Sequence, residues 1–201
     1  MVELAHAASS SGCANLERKA FVDLLDMVSD VLDTKVFAEK LVDVAWHLSG
    51  CEAVAVRLKL GPDYPYAAFR GFPERFITIE NELCAKDREG LLLRDRQQKP
   101  ILACQCGRVL AGLADPNHVR FTERGSLIIA SHLELKCQDR TRRCQLVGYE
   151  TMGLIPIRLD EVTYGLIQCN DPKPGVLTAE AVDLLENLAT SAAHLLQSRM
   201  A

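Results

Sequence analysis

No stretch of this sequence approaches the roughly 20 consecutive apolar residues that a membrane-spanning helix needs. The N-terminal residues Met1 to Gly12 lack the basic start and apolar middle of a secretory signal. Basic residues are outnumbered by acidic ones, and a net charge of −4 gives no general electrostatic attraction to a polyanion. No internal repeat is visible. Together these absences lead to the expectation of a cytoplasmic chain with neither nucleic acid nor membrane among its partners.

At 201 residues, with 48% hydrophobic and 25% charged, the chain has single-domain size and can bury a real core. The Ser9-Ser10-Ser11-Gly12 run predicts a disordered leader over 1–15, followed by one domain over 16–199. Phe21, Leu24, Leu25, Val28, Val31 and Leu32 recur at helical spacing. After Asp33, Thr34 is the expected N-cap of a second helix carrying Val36, Phe37, Leu41, Val44, Ala45 and Leu48, ended by Gly50. Cys51 to Leu60 and Tyr64 to Phe72 read as a hairpin around Gly61-Pro62-Asp63. From Pro73 to Pro100 the pattern is irregular and charged, and so long an excursion is usually functional or disordered. A short helix over Arg108 to Gly112 and a short strand over Ser126 to Ser131 come next. Thr151 to Leu159 and Val162 to Cys169, joined at Asp160-Glu161, predict the central antiparallel pair. Thr178 then caps a last helix with Val182, Leu185, Leu188, Ala192 and Leu195 on one stripe.

Cysteine is the one residue type present in unusual number. Eight thiols in a reducing compartment point to metal binding or catalysis more than to a disulfide framework. Cys13, Cys51, Cys137 and Cys169 are explained as small buried hydrophobes or bystanders. The remaining four are Cys84, the pair Cys104 and Cys106 followed by Gly107, and Cys144. Four thiolates complete a tetrahedral set for zinc or an iron–sulfur cluster, although C-x-C cannot rest on one helix face and needs a bend to turn both sulfurs inward. Redox-active cysteines and unliganded structural thiols stay open as alternatives. His118 or His132 could replace a thiol, and Arg140, Arg142 and Arg143 could favour a thiolate at Cys144 or receive an anion.

The segments running from Leu24 to Leu58, from Glu150 to Asp171 and from Leu177 to Leu196 resemble, in order, the GAF domain family. Glu82-Leu83-Cys84, Cys104 to Leu110, Phe121-Thr122-Glu123-Arg124-Gly125-Ser126 and Arg143-Cys144 through Gly148-Tyr149-Glu150 resemble a cysteine-bearing subgroup found in bacterial and archaeal sensor histidine kinases. The resemblance implies an α+β fold: an antiparallel sheet of five or six strands, N- and C-terminal helices packed on one face, and a ligand pocket on the other. It implies a sensor that binds a small ligand or a thiolate-held metal or iron–sulfur centre and signals through its terminal helices. Cys84, Cys104, Cys106 and Cys144 are then the candidate metal ligands, and Glu150 and Arg143 the candidate ligand contacts. No nucleotide-binding glycine motif or phosphoacceptor helix follows the domain, so a histidine kinase or other signalling protein is expected as partner.

The free methionine-(R)-sulfoxide reductases share the fold, and Cys106-Gly107, Cys144 and Pro156-Ile157 resemble their positions. Cys106 and Cys144 would then be the catalytic pair, one thiolate attacking the sulfoxide and the other resolving the sulfenic acid. Met152 stands where that family places an acidic residue, a departure from its pattern. A structural dimerisation domain is the third reading. A homodimer is expected from Phe21, Leu24, Val28 and Leu32 with Leu188, Leu195 and Leu196.

Overall fold

Asp33 opens the first helix of the structure, a computed structural model that describes residues 33–113, 120–131 and 147–199. Its backbone is extended, and its carboxylate oxygen Oδ1 accepts from the N–H of Lys35 at 2.9 Å and of Val36 at 3.3 Å. The cap therefore lies one residue before Thr34, because it is residue 33 that holds the extended backbone a cap needs. Helix α1, Thr34–Ser49, ends at Gly50, whose left-handed φ of 63° directs its N–H onto the Trp46 carbonyl. The expected leader over 1–15, the stripe from Phe21 to Leu32, Cys13, His118, His132, Cys137, Arg140, Arg142, Arg143 and Cys144 lie outside the described residues.

The elements that follow are β1 (Ala53–Leu58), β2 (Tyr66–Arg70), α2 (Glu74–Glu80), α3 (Cys104–Leu110), β3 (Leu127–Ile129), β4 (Thr151–Leu159), β5 (Val162–Asp171) and α4 (Ala179–Ser198). The strands form one sheet in the order β2-β1-β5-β4-β3, and every neighbouring pair is antiparallel. This is the expected α+β architecture with five strands. Thr178 caps α4 as its sequence suggests, its side chain accepting from the Ala181 N–H.

Because strand side chains alternate, each strand supplies both faces of the sheet. Val54, Val56, Ile155, Ile157, Ile167 and Cys169 meet Phe37, Leu41 and Val44 of α1 and Leu185, Leu188, Ala192 and Leu196 of α4. The two long helices thus share one face. Leu188 and Leu196 are 2% and 9% exposed within this core. They serve the domain's own packing, so the part of the expected dimer stripe placed on them is withdrawn from a second copy. All six residues of β1 are buried, which means that its other face, Ala53, Ala55 and Arg57, is covered too.

Ile155 sits at 0% exposure in the core of the helical face, whereas Leu60 in the β1–β2 turn is 71% exposed. Ile155→Ala is expected to lower unfolding free energy by about 2–5 kcal/mol in chemical denaturation. Leu60→Ala should stay within about 0.5 kcal/mol of the parent.

Candidate functional site

On the face opposite α1 and α4, two apolar clusters flank a row of buried polar side chains. One cluster joins Tyr64, Leu83, Cys106, Val109, Leu110, Leu127, Ile129, Met152, Leu154 and Leu166. The other joins Ala53, Ala55, Phe72, Phe76 and Tyr149, with the Tyr149 ring edge-on to both phenylalanines. Between them lie Arg57 of β1 and Gln168 and Asn170 of β5, none more than 1% exposed. Register sets this row: Ala55 pairs with Gln168 and Ala53 with Asn170, so each long polar side chain has a one-carbon neighbour beside it.

The row is bonded end to end. Tyr66 Oη donates to Gln168 Oε1 at 3.1 Å, Cys106 Sγ approaches the same oxygen at 3.9 Å, and Gln168 Nε2 donates to Asn170 Oδ1 at 2.9 Å. Arg57 donates from Nη1 to the carbonyls of Tyr64 (2.8 Å) and Asn81 (3.1 Å), and from Nη2 to the carbonyl of Glu80. Its guanidinium lies 3.5 Å from the centre of the Tyr66 ring. Among the described residues no carboxylate pairs with it, and Arg57 Nε and Asn170 Nδ2 have no hydrogen-bond partner. A buried donor left unmade costs about 1–3 kcal/mol, so two of them on one sheet face call for an explanation.

The excursion after Phe72 is more ordered than its composition suggests. Its first part is α2, begun at Pro73 and anchored by buried Phe76. The rest folds back on itself through the bridges Cys84 to Leu102, Lys86 to Leu92 and Arg94 to Pro100. Asp63 fixes its start, its carboxylate accepting from the N–H groups of Tyr64, Leu83 and Cys84. Cys84 donates its S–H to the Pro62 carbonyl at 3.3 Å, and burial and then Asp63 hold this thiol above its ordinary range. The Glu82-Leu83-Cys84 segment is thereby accounted for as a fastening of chain to chain.

Helix α3 begins at Cys104, four residues before the expected start, because Cys104 itself is the bend that the C-x-C spacing requires. Its φ of 57° is left-handed, and it turns the first thiol toward the second at the helix start. Gly107 has an ordinary φ, so it is not the turn former that a glycine after C-x-C suggests. A Cβ there would stand 2.5 Å from the Leu102 carbonyl oxygen; glycine lets α3 lie against that segment. Arg158 of β4 holds the far end, donating to the Val109 carbonyl at 2.6 Å. Cys104 is half-buried, and its thiol is lowered from 9.0 to about 7, first by a hydrogen bond from Cys106; burial opposes this, and the backbone N–H groups of Cys106 and Gly107 add to it.

Of the expected metal ligands, Cys104 and Cys106 are together, Cys84 is bonded to Pro62, and Cys144 lies outside the described residues. Among the described residues no three His, Cys, Asp or Glu side chains are placed to hold a metal ion. Glu150 is half-buried and accepts from Ser131 Oγ at 2.9 Å; its fellow candidate Arg143 lies outside the described residues. Cys51 and Cys169 are core thiols as expected, Cys51 being pushed up to about 12 by burial. Arg57, Tyr66, Gln168 and Asn170 escaped the sequence reading. Their signal was there: polar residues at alternate positions in strands that otherwise read as apolar.

The Phe121-Thr122-Glu123-Arg124-Gly125-Ser126 segment has a role that its composition hid. It is a turn, closed by the Thr122 N–H on the Ser126 carbonyl, with Gly125 left-handed at φ 85°. Phe121 packs on the apolar cluster beside Cys106, while the Thr122 hydroxyl donates to the buried Glu186 carboxylate of α4 and Arg124 reaches Asn187 at 2.7 Å. One turn touches both faces.

A family model for the GAF domain matches residues 33–196. A search of curated proteins finds no match. Among solved structures, the GAF domain of a phosphoenolpyruvate-protein phosphotransferase from Coxiella burnetii superposes with a TM-score of 0.58 at 12% identity, covering 92% of this chain and 96% of that one. The GAF domain of a putative sensor histidine kinase from Pseudomonas syringae pv. tomato gives 0.52 at 16% identity over 98% and 94%. The free methionine-R-sulfoxide reductase of Neisseria meningitidis, in complex with its substrate, gives 0.54 at 13% identity over 90% and 93%. At these identities the likeness is one of fold. Among the described residues no helix is long and apolar enough to cross a membrane.

Gly107→Ala is expected to push α3 off Leu102 and to destabilise the fold by about 1–3 kcal/mol, since the clash is with backbone. The same change at exposed Gly90 meets no neighbour and suffers only its own left-handed φ of 84°. Thermal unfolding of the two variants should rank Gly107→Ala lower.

Proposed function

The chain belongs to the GAF domain family, generally a sensory module, and on that premise we propose that it senses a small molecule bearing hydrogen-bond acceptor oxygens. The molecule lies on the sheet face opposite α1 and α4, and its presence is passed to a signalling partner through α4. The observation that carries this reading is the pair of partnerless donors, Arg57 Nε and Asn170 Nδ2, in a buried row with an unpaired positive charge at one end. Small-molecule sites are mostly apolar with a few converging polar groups, which is the composition of this face. An uncompensated guanidinium favours a ligand of negative or strongly polar character over an apolar one.

The route to α4 runs through the turn at Phe121 to Ser126. A ligand that displaces the apolar cluster moves Phe121, and Thr122 carries that movement to Glu186 by a hydrogen bond to a buried carboxylate. The partner class follows from the fold's neighbours: the Pseudomonas syringae relative is part of a putative sensor histidine kinase. A kinase or comparable output protein is the partner proposed here. Metal ligation by Cys84, Cys104, Cys106 and Cys144 has less in its favour, because Cys84 is held as a thiol by Pro62. The reductase reading rests on Cys106 and Cys144 and on a likeness of fold at 13% identity.

Screening carboxylates, cyclic nucleotides and other oxygen-rich metabolites by thermal shift is expected to give a stabilising ligand. Asn170→Leu should weaken that ligand at least about tenfold in calorimetry, near 1.4 kcal/mol, with the fold retained. Unchanged affinity in Asn170→Leu contradicts the site. Thr122→Val should leave ligand affinity unchanged while reducing hydrogen-exchange protection in the first turns of α4, since Glu186 loses its donor.

A further inference from the structure

Five thiols lie among the described residues, and their surroundings separate them sharply. Cys51 and Cys169 are neighbours beside Ser49 in the core, with almost no exposure, and burial raises both. Cys84 is tied to a carbonyl and raised. Cys104 alone is half-buried and lowered, and it is hydrogen-bonded to a second thiol, Cys106. Two residues apart in a helical turn, their Cα atoms lie about 5.5 Å from one another, within the span of a disulfide. The left-handed backbone at Cys104 supplies the side-chain direction that a regular helix denies to i and i+2.

We propose that Cys104 and Cys106 form a hydroperoxide-responsive dithiol site that closes to a disulfide and, on closing, withdraws Cys106 from Gln168. The Cys104 thiolate attacks one peroxide oxygen; the O–O bond breaks, Cys104 becomes a sulfenic acid, and the departing hydroxide takes a proton to form water. Cys106 sulfur then attacks the sulfenic sulfur. The S–S bond forms, the S–O bond breaks, and the hydroxide leaves with the Cys106 proton as a second water. Two thiols lose two electrons in all, and one peroxide is reduced to two waters. A dithiol reductant reverses the step by exchange.

Three placements make this more than a pair of adjacent cysteines. Cys106 has a single S–H and two acceptors, Cys104 and Gln168 Oε1 at 3.9 Å, so the proton that supports the Cys104 thiolate also belongs to the polar row. A disulfide removes that donor from Gln168, whose Nε2 holds Asn170. Cys104 and Phe121 both pack against the same apolar cluster, through which oxidation reaches the turn leading to α4. That consequence rests on the function proposed above, whereas formation of the disulfide does not.

With its thiol lowered from 9.0 to about 7, Cys104 is more ionised at neutral pH than an ordinary cysteine. Its alkylation rate should climb as pH rises toward about 7 and level off above it, where an ordinary thiol is still climbing.

The sequence provides a direct assay, because tryptic cleavage after Arg96 and Arg108, with Lys99 protected by Pro100, puts Cys104 and Cys106 alone on one peptide. The reduced full chain is treated with one equivalent of hydrogen peroxide, alkylated, digested and weighed. The expected result is that this peptide loses two hydrogens and takes up no alkylating reagent, that Cys51 and Cys169 remain alkylatable after unfolding, and that a dithiol restores the pair. Cys106→Ser, which keeps a hydrogen-bond donor beside Cys104 but cannot form a disulfide, is expected to stop at a Cys104 sulfenic acid that dimedone captures. A peptide that keeps both thiols while peroxide is consumed elsewhere overturns the proposal. So does a bond from either cysteine to Cys84 or Cys144, or an absence of dimedone adduct at Cys104 in Cys106→Ser. No ligand enters this assay, so its failure and a failure of ligand binding read separately.

Discussion

One buried guanidinium holds the second face of this domain together. Arg57 gathers the carbonyls of Tyr64, Glu80 and Asn81, and so ties the β1–β2 turn and the end of α2 to the middle of the sheet. Its plane rests on Tyr66, and the Asn81 side chain returns the favour by accepting the Tyr66 N–H at 2.9 Å. Removing the side chain takes a donor from three carbonyl groups at once, a heavier loss than that of a single hydrogen bond. Burying a charge with only carbonyls around it is costly, and that cost is the ground on which a polar or anionic guest is proposed for this face.

From that clamp the rest of the site follows in layers. Once α2 is fixed, the segment after it is led back by Asp63 and bridged through Cys84 to Leu102, and Gly107 lets α3 settle on Leu102. This brings Cys106 over Gln168 and Cys104 beside Cys106. At the other sheet edge the turn at Thr122 joins the apolar cluster to α4. Polar row, thiol pair and α4 are therefore linked by short contacts, and the proposed sensing by this face rests on that continuity.

Much of the fold was legible in the sequence because its signals are local. Apolar periodicity gives α1 and α4, Gly50 and Thr178 mark their ends, and the density of Thr151 to Asp171 gives the central hairpin. The cap at Asp33 was misplaced by one residue, since both Asp33 and Thr34 are good caps and only the backbone decides. α2 was hidden among charged residues because a seven-residue helix with one buried side chain carries almost no periodicity. The C-x-C-G stretch was legible as special, but its geometry was not: a left-handed non-glycine residue at Cys104 and a close approach at Gly107 depend on Leu102, a neighbour brought there by long-range folding. Gln168 and Asn170 were hidden inside a strong strand, where their apolar neighbours dominate the pattern.

The account stands on the claim that the partnerless N–H groups of the buried row meet the ligand. Side-chain amide and guanidinium spectra of the nitrogen-15-labelled protein test it most directly, with the Arg57 Nε–H and Asn170 Nδ2 signals assigned and followed during titration with a stabilising ligand. The account predicts that both signals shift together and saturate with the ligand's dissociation constant. Saturation of backbone shifts elsewhere, with both side-chain signals unmoved, contradicts it.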